Sequence, residues 1–279
     1  MPLRISQGWL NTLSTCPRKF QHIFLDQIGS PTTLEQRSQL DWGNRFHLFM
    51  QQYELGLSVE AGLETGAIAL SSDDSIDRPT DAIVRCAQAF IDQTPSLFPP
   101  QPARLRQSEH QRTLEWSGYW FTVIYDLLIL TDDHAQILDW KTYAQPQTSK
   151  WLAQNWQTRL YRFVLAETSD YTPDQISMTY WFIRPSTDED VRPEFLRFPY
   201  SMAQHEQTRQ DLTALLAQLT TWLAAYQSGD ADFPQVPETS GHCRFCPFAM
   251  LCQRPTSPLA GQSIAPHLLN VEEIQEIVL

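Results

Sequence analysis

Three sets of residues in this chain have the types and spacing to do chemistry. The first is "ILDWKT", residues 137–142, which puts Asp139 and Lys141 two places apart in a segment that otherwise reads as a strand. Asp is poorly suited to strands, so its presence needs a cause. Upstream, "YWFTVIYDLLIL" reads as a second strand, and "TDDH" (131–134) reads as the turn between the two. If those four residues form the loop, Leu130 opposes Ala135, and stepping away from the turn brings Asp126 opposite Asp139. Side chains alternate along a strand, so Lys141 shares the face of Asp139. Opposed residues hold their Cβ atoms roughly 4.5–5.5 Å apart, and two like charges there repel. A divalent cation would turn that repulsion into a binding site. Mg²⁺ takes one or two carboxylates, keeps several waters and leaves room for a phosphate oxygen. It can polarise a phosphodiester and acidify a water, with Lys141 steadying the water or the developing charge. A surface hairpin with a solvated Asp and Lys fits the same spacing equally well.

The second set is Cys243, Cys246 and Cys252. A C-x₂-C bite lets two sulfurs reach one metal or cluster from a single turn, and Cys252 adds a third thiol within ten residues. A fourth ligand is still required, and Cys16 is the natural candidate. Cys86 falls in a helical pattern and reads as a buried helix residue. The third set is basic and aromatic: Arg104, Arg106, Arg112, Lys150, Trp151, Arg159 and Arg162. It reads either as a local phosphate track or as ordinary surface charge.

The elements that must position these residues follow from hydrophobic periodicity. Residues 7–25 read as two short helices around a turn at Cys16-Pro17. Residues 34–56 read as a helix with Trp42, Phe46, Phe49 and Tyr53 on one face and His47 beside it. Residues 80–94 form another helix, with a loop before it (71–79) and a proline-rich connector after it (93–104). A three-strand meander follows, with Ser117-Gly118 as its first hairpin turn. Then come a helix over 151–167, strands in "ISMTYWFI" and "EFLRFPY", a long helix over 201–228 and a short final helix. The order is that of an α/β domain wrapped by terminal helices.

The chain has 279 residues, 42% of them hydrophobic, enough for one large domain with appendages. Its net charge of −12 argues against indiscriminate binding to nucleic acid or anionic membrane. No apolar run approaches the roughly 20 residues of a membrane helix. The first residues lack the apolar core of a signal peptide. A cytoplasmic protein with no membrane contact is expected, and five cysteines then do not suggest a disulfide framework.

"VIYDLLIL…ILDWKT" resembles the core of the PD-(D/E)XK nucleases, in which an Asp on one strand pairs with D/E-x-K on the next. Asp126 matches the first acid and Asp139-Trp140-Lys141 the D-x-K. "WGNRFH" looks like the G-x-x-x-H helix of the RecB-like branch, through Gly43 and His47. "QTRLY" looks like its Q-x-x-x-Y helix, through Gln157 and Tyr161. The "LSTCPRKF" context of Cys16, with the later C-x₂-C-x₅-C, is similar to the iron–sulfur subset of that branch. This subset includes the AddB nuclease domain and CRISPR-associated adaptation exonucleases. One departure stands out: where the family has G-x-I-D, this chain has Val123-Ile124-Tyr125-Asp126, and a bulky Val123 is expected to narrow the approach of substrate.

The resemblance implies a restriction-endonuclease-like core, a mixed central sheet flanked by helices, with N- and C-terminal helical segments clipped by an iron–sulfur cluster. It implies segments 1–35 (first cluster cysteine), 36–240 (nuclease core) and 241–279 (cysteine-rich segment and tail). His47, Asp126, Asp139 and the Trp140 carbonyl would hold Mg²⁺ or Mn²⁺. Asp126, Asp139 and Lys141 would act in catalysis, with Gln157 and Tyr161 contacting DNA or supporting the site. Cys16, Cys243, Cys246 and Cys252 would hold a [4Fe–4S] cluster, with zinc the other candidate on ligand type. The implied activity is hydrolysis of DNA, from single strands or duplex ends, by an exonuclease of repair, recombination or CRISPR adaptation. No helicase P-loop occurs in the sequence, so a helicase or CRISPR integration partner would be a separate protein. The competing reading is a catalytically inactive, iron–sulfur or zinc-stapled scaffold that binds DNA or repair partners.

Overall fold

The structure, a computed structural model, describes residues 3–29, 34–57, 85–92, 103–142, 149–183 and 194–254. The expected loop at 71–79, most of the proline-rich connector and the short final helix lie outside the described residues. The chain divides into two compact units. One comprises Met1–Thr32, Glu115–Thr122 and Gln207–Leu279, and the other Thr33–Leu114 and Val123–Glu206.

In the first unit, Ser6 caps helix α1 (Gln7–Thr15) by accepting from the Trp9 N–H. Cys16 then breaks the helix in an extended conformation, and Pro17 opens α2 (Pro17–Phe20), which continues as a π-helical turn over Gln21–Leu25. Phe20 stacks on Phe233, which also packs against Trp222 and Tyr226. Strand β1 (Arg4–Ile5), too short to show in the sequence pattern, pairs in parallel with the β3 segment Trp120–Phe121.

The second unit holds most of the sheet. Helix α3 (Leu34–Glu54) and helix α4 (85–92) precede strands β2 (Leu105–Trp116), β3 (Tyr119–Leu130) and β4 (Ala135–Lys141). Ser117 and Gly118 both take left-handed backbone angles, φ 51° and 81°, the geometry of a tight two-residue hairpin turn. Helix α5 (Ser149–Gln154) and α6 (Trp156–Glu167) follow, then β5 (Ile176–Phe182), β6 (Glu194–Pro199) and α7 (Met202–Ser228). The expected single helix over 151–167 is two. Asn155 sits extended between them and caps α6 by accepting from the Gln157 N–H at 2.8 Å.

The sheet runs β1-β3-β4-β5-β6, with β2 also on β3. It is mixed: β3–β4 and β5–β6 are antiparallel, and β4–β5 is parallel across the α5–α6 crossover. This is an α/β fold with a mixed sheet and helical flanks, consistent with a restriction-endonuclease-like core. The β3–β4 register is the one expected from the TDDH turn: Leu130 with Ala135, through to Leu127 with Leu138. Phe46, Phe49 and Met50 of α3, with Cys86 and Phe90 of α4, form one core cluster with Leu127, Leu138, Trp140 and Trp181. Cys86 is thus a fully buried helix residue, as its periodicity suggested.

Candidate functional site

The two acids and the lysine come together at the ends of β3 and β4, but not as a bare facing pair. One step beyond the Leu127–Leu138 pair, the Asp126 carboxylate turns and accepts the backbone N–H of Trp140 at 2.6 Å. Its other oxygen lies 3.4 Å from Nδ1 of His47, delivered by α3. Asp139 is 1% exposed. Its Oδ1 accepts from Nε2 of Gln157 at 2.7 Å, and its Oδ2 lies 2.6 Å from Nζ of Lys141. Asp139 and Lys141 therefore share a face, as strand alternation requires. Lys141 also stands over the ring of Tyr180, 5.3 Å from its centroid. The hydroxyl of Thr158 donates to the Leu152 carbonyl, so the Tyr180 hydroxyl is the donor in its 2.7 Å bond to Thr158.

The two halves of the G-x-x-x-H and DWKT motifs meet physically. A Cβ on Gly43 would stand 3.0 Å from the Thr142 hydroxyl, tighter than ordinary packing allows. Glycine there lets α3 approach the end of β4 closely, and four residues on His47 reaches Asp126.

Asp126 is held as a carboxylate. Burial opposes ionisation of Asp126, but His47 and Lys141, with the Trp140 N–H, lower its pKa. Burial likewise disfavours the imidazolium of His47, and the Asp126 carboxylate outweighs it, raising the pKa to about 9. A cation binding to this nitrogen must displace the proton. Mn²⁺ titrated by calorimetry at pH 7.5 in buffers of different ionisation enthalpy is therefore expected to release about one proton per ion, with affinity rising from pH 6 toward pH 9. Proton release near zero would show that His47 is not displaced from its proton by the ion.

A third acid joins this corner. Among the described residues, the donor atoms of His47, Glu109 and Asp126 lie within 4.8 Å of one another, a set that could hold a metal ion. Glu109 stands in the sequence as an acid near the sheet with no motif to single it out. Its only advance signal is that β2 runs beside β3.

The remaining site expectations sort as follows. Tyr161 is fully buried, edge-on to Tyr125, whose hydroxyl donates to the Tyr161 carbonyl at 3.0 Å. It supports the end of β3 from within. Val123 and Tyr125 are buried at 1% and 0%, so neither stands in an open approach to the acids. The basic track needs correction. Arg162 is 3% exposed and donates to the Thr158 and Pro199 carbonyls. Arg112 donates to Thr168, and Arg106 forms a two-pronged pair with Glu54. Those three guanidiniums serve the fold, because each found a carbonyl or carboxylate that spacing could not reveal.

The thiols gather in the first unit. Gly241, at φ 77°, turns the chain into a 3₁₀ helix over His242–Phe245, and the Cys246 N–H closes onto the Cys243 carbonyl at 3.2 Å. Cys16, Cys243, Cys246 and Cys252 line one pocket, with Lys19 and Arg254 also on its wall. Burial pushes up the Cys246 thiol, and Cys16 and Cys243 add to it; burial, Cys246 and Cys16 do the same to Cys252. Such mutual repulsion of thiolates is what a bound cation or cluster relieves. His22 places Nε2 3.6 Å from the Cys252 sulfur and Nδ1 3.0 Å from Asp26.

Residues 4–253 match the family model of the PD-(D/E)XK nuclease superfamily. The chain belongs to that superfamily. In this PD-(D/E)XK protein Asp126 stands on β3, and Asp139 and Lys141 stand on β4. Members generally use divalent metals, and the His47–Glu109–Asp126 corner is a candidate for one. The crystal structure of a candidate exonuclease from Eubacterium rectale shares the fold, with TM-score 0.51 and 12% identity over 94% of each chain. A second solved structure, SSO0001, covers 62% of this chain and 69% of its own at 13% identity, with TM-score 0.29, too low to bear on the fold. No curated protein matches the chain. No helix among the described residues is long and apolar enough to cross a membrane.

Proposed function

We propose that this chain is a Mg²⁺- or Mn²⁺-dependent DNA nuclease, an exonuclease, carrying a [4Fe–4S] cluster. The observation that carries the reading is the meeting of Asp126, Asp139, Lys141 and His47 at adjoining strand ends, in a chain of the nuclease superfamily. Exonuclease action is favoured by the Eubacterium rectale protein, which carries that description. The setting, DNA repair and recombination or CRISPR adaptation, rests on the motif resemblance, as does the expectation of helicase or integration partners and of a cytoplasmic location.

The residues divide the work. His47, Asp126 and Asp139 are the metal ligands of this reading. In a strand, the N–H and C=O of one residue point to the same side, so the Trp140 carbonyl shares the side of the N–H that meets Asp126, and it serves as a further ligand. The bound ion would polarise the scissile phosphodiester and acidify the attacking water. Lys141 exchanges its contact with Asp139 for that water or for the charge developing on phosphorus oxygens. Gln157 holds Asp139 in its rotamer, and Tyr161 fixes the strand end through Tyr125.

The four thiols share one pocket, which supports one shared metal or cluster. The choice of [4Fe–4S], in which each thiolate ligates a different iron, rests on the resemblance of the Cys16 and C-x₂-C-x₅-C layout to the iron–sulfur nucleases, with zinc the alternative on ligand type. Holding Cys16 with Cys243, Cys246 and Cys252, a cluster would close a loop through nearly the whole chain.

The test is anaerobic purification, visible spectroscopy and an assay on linear single- and double-stranded DNA with and without Mg²⁺ or Mn²⁺. A brown protein that shortens DNA from its ends only with the metal is the expected result. A brown protein that cleaves nothing would make it a scaffold, and a colourless zinc protein would overturn the cluster.

A further inference from the structure

Glu109 lies inside β2, where its backbone takes φ 51°, a left-handed conformation that non-glycine residues adopt at a cost. Such a residue interrupts the alternation of a strand, as at a bulge, and re-aims its side chain. The outcome is specific. The Glu109 carboxylate joins a ring nitrogen of His47, from α3, and the carboxylate of Asp126, from β3, with all three donor atoms within 4.8 Å. Octahedral coordination at about 2.1 Å sets neighbouring donors about 3 Å apart and opposite donors about 4.2 Å apart. Donor atoms within 4.8 Å of one another lie near that span. Asp139, the remaining carboxylate ligand of the reading above, is oriented by Lys141 and Gln157.

We infer that Glu109 is a direct ligand of the divalent cation, a further side-chain donor supplied by β2 in addition to His47, Asp126 and Asp139. A set of carboxylates with one imidazole suits Mn²⁺ or Mg²⁺ better than a thiol-seeking metal. The strained backbone at Glu109 is the structural means of aiming it. This inference rests on the metal-dependent reading above, and its test separates the two.

Mn²⁺ is titrated into the full-length protein, with free ion counted by electron paramagnetic resonance and heat by calorimetry. Glu109→Gln is expected to weaken Mn²⁺ at least tenfold while the melting transition stays in place. Glu109→Gly removes the carboxylate and also relieves the backbone, since glycine accepts this φ. It is expected to melt no lower than the parent and still bind Mn²⁺ at least tenfold more weakly. Parent-like affinity in either folded variant overturns the assignment. Asp126→Asn serves as the control: if it too binds like the parent, the metal reading itself fails, whereas loss in Asp126→Asn alone removes only Glu109.

Discussion

Asp139→Asn is expected to abolish metal-dependent DNA cleavage, lowering the single-turnover rate by roughly three orders of magnitude, the scale on which one group of a catalytic unit acts. The substitution keeps the shape of the side chain and the contact to Gln157, and removes only the charge. It also leaves Lys141, whose side chain is 14% exposed, without the carboxylate 2.6 Å away. Removing the nearest carboxylate from a largely enclosed ammonium costs on the order of 3 kcal/mol, so a lowered melting temperature accompanies the loss of activity. The double variant Asp139→Asn with Lys141→Gln removes both charges. It is expected to regain most of the stability and none of the activity, which separates chemistry from folding. An Asp139→Asn protein that melts lower yet still cuts DNA at the parental rate would place the reaction elsewhere.

Cys16→Ser is expected to remove the visible absorption and to destabilise the protein by on the order of 5 kcal/mol, because binding energy at such sites is folding energy. The choice of serine matters. Cys16 is the extended residue between α1 and α2, and its backbone N–H closes α1 onto the Thr12 carbonyl. Serine keeps that bond and is itself a strong N-cap for α2, so any loss comes from the missing thiolate. Spectra and thermal melts of anaerobically purified protein read both effects. Unchanged colour would remove Cys16 from the ligand set, and unchanged melting would show that the cluster does not staple the fold.

Much of the fold was legible because it is governed by short-range signals. TDDH set the β3–β4 register, Ser117-Gly118 set the β2–β3 turn, and the apolar face around Phe46 marked α3. The break at Asn155 was also written in the chain, as an N-cap residue before Trp156 and Gln157, but the apolar stripe ran through it. The site was legible as far as motifs reach: Asp126, Asp139, Lys141 and His47 do converge. Glu109 was hidden, because its direction depends on one unusual backbone angle in a neighbouring strand. The arginines misled for the opposite reason. A guanidinium looks the same in sequence whether it waits for a phosphate or already holds Glu54, as Arg106 does. The turned carboxylate of Asp126 was unforeseeable too, since strand pairing says nothing of a side chain that accepts the next strand's N–H.

The β2–β3 ribbon passes from one compact unit to the other and back, with Glu115–Thr122 counted in the first and its flanks in the second. Neither half can therefore be excised as an independent fragment without severing the ribbon twice. Clones that begin past residue 32 lose β1, the partner of Trp120–Phe121, and clones that stop before 207 lose most of α7 and the Cys243–Cys252 segment, so their silence in an assay would say nothing about which half holds the nuclease. Dissecting this protein calls for point substitutions, not scissors.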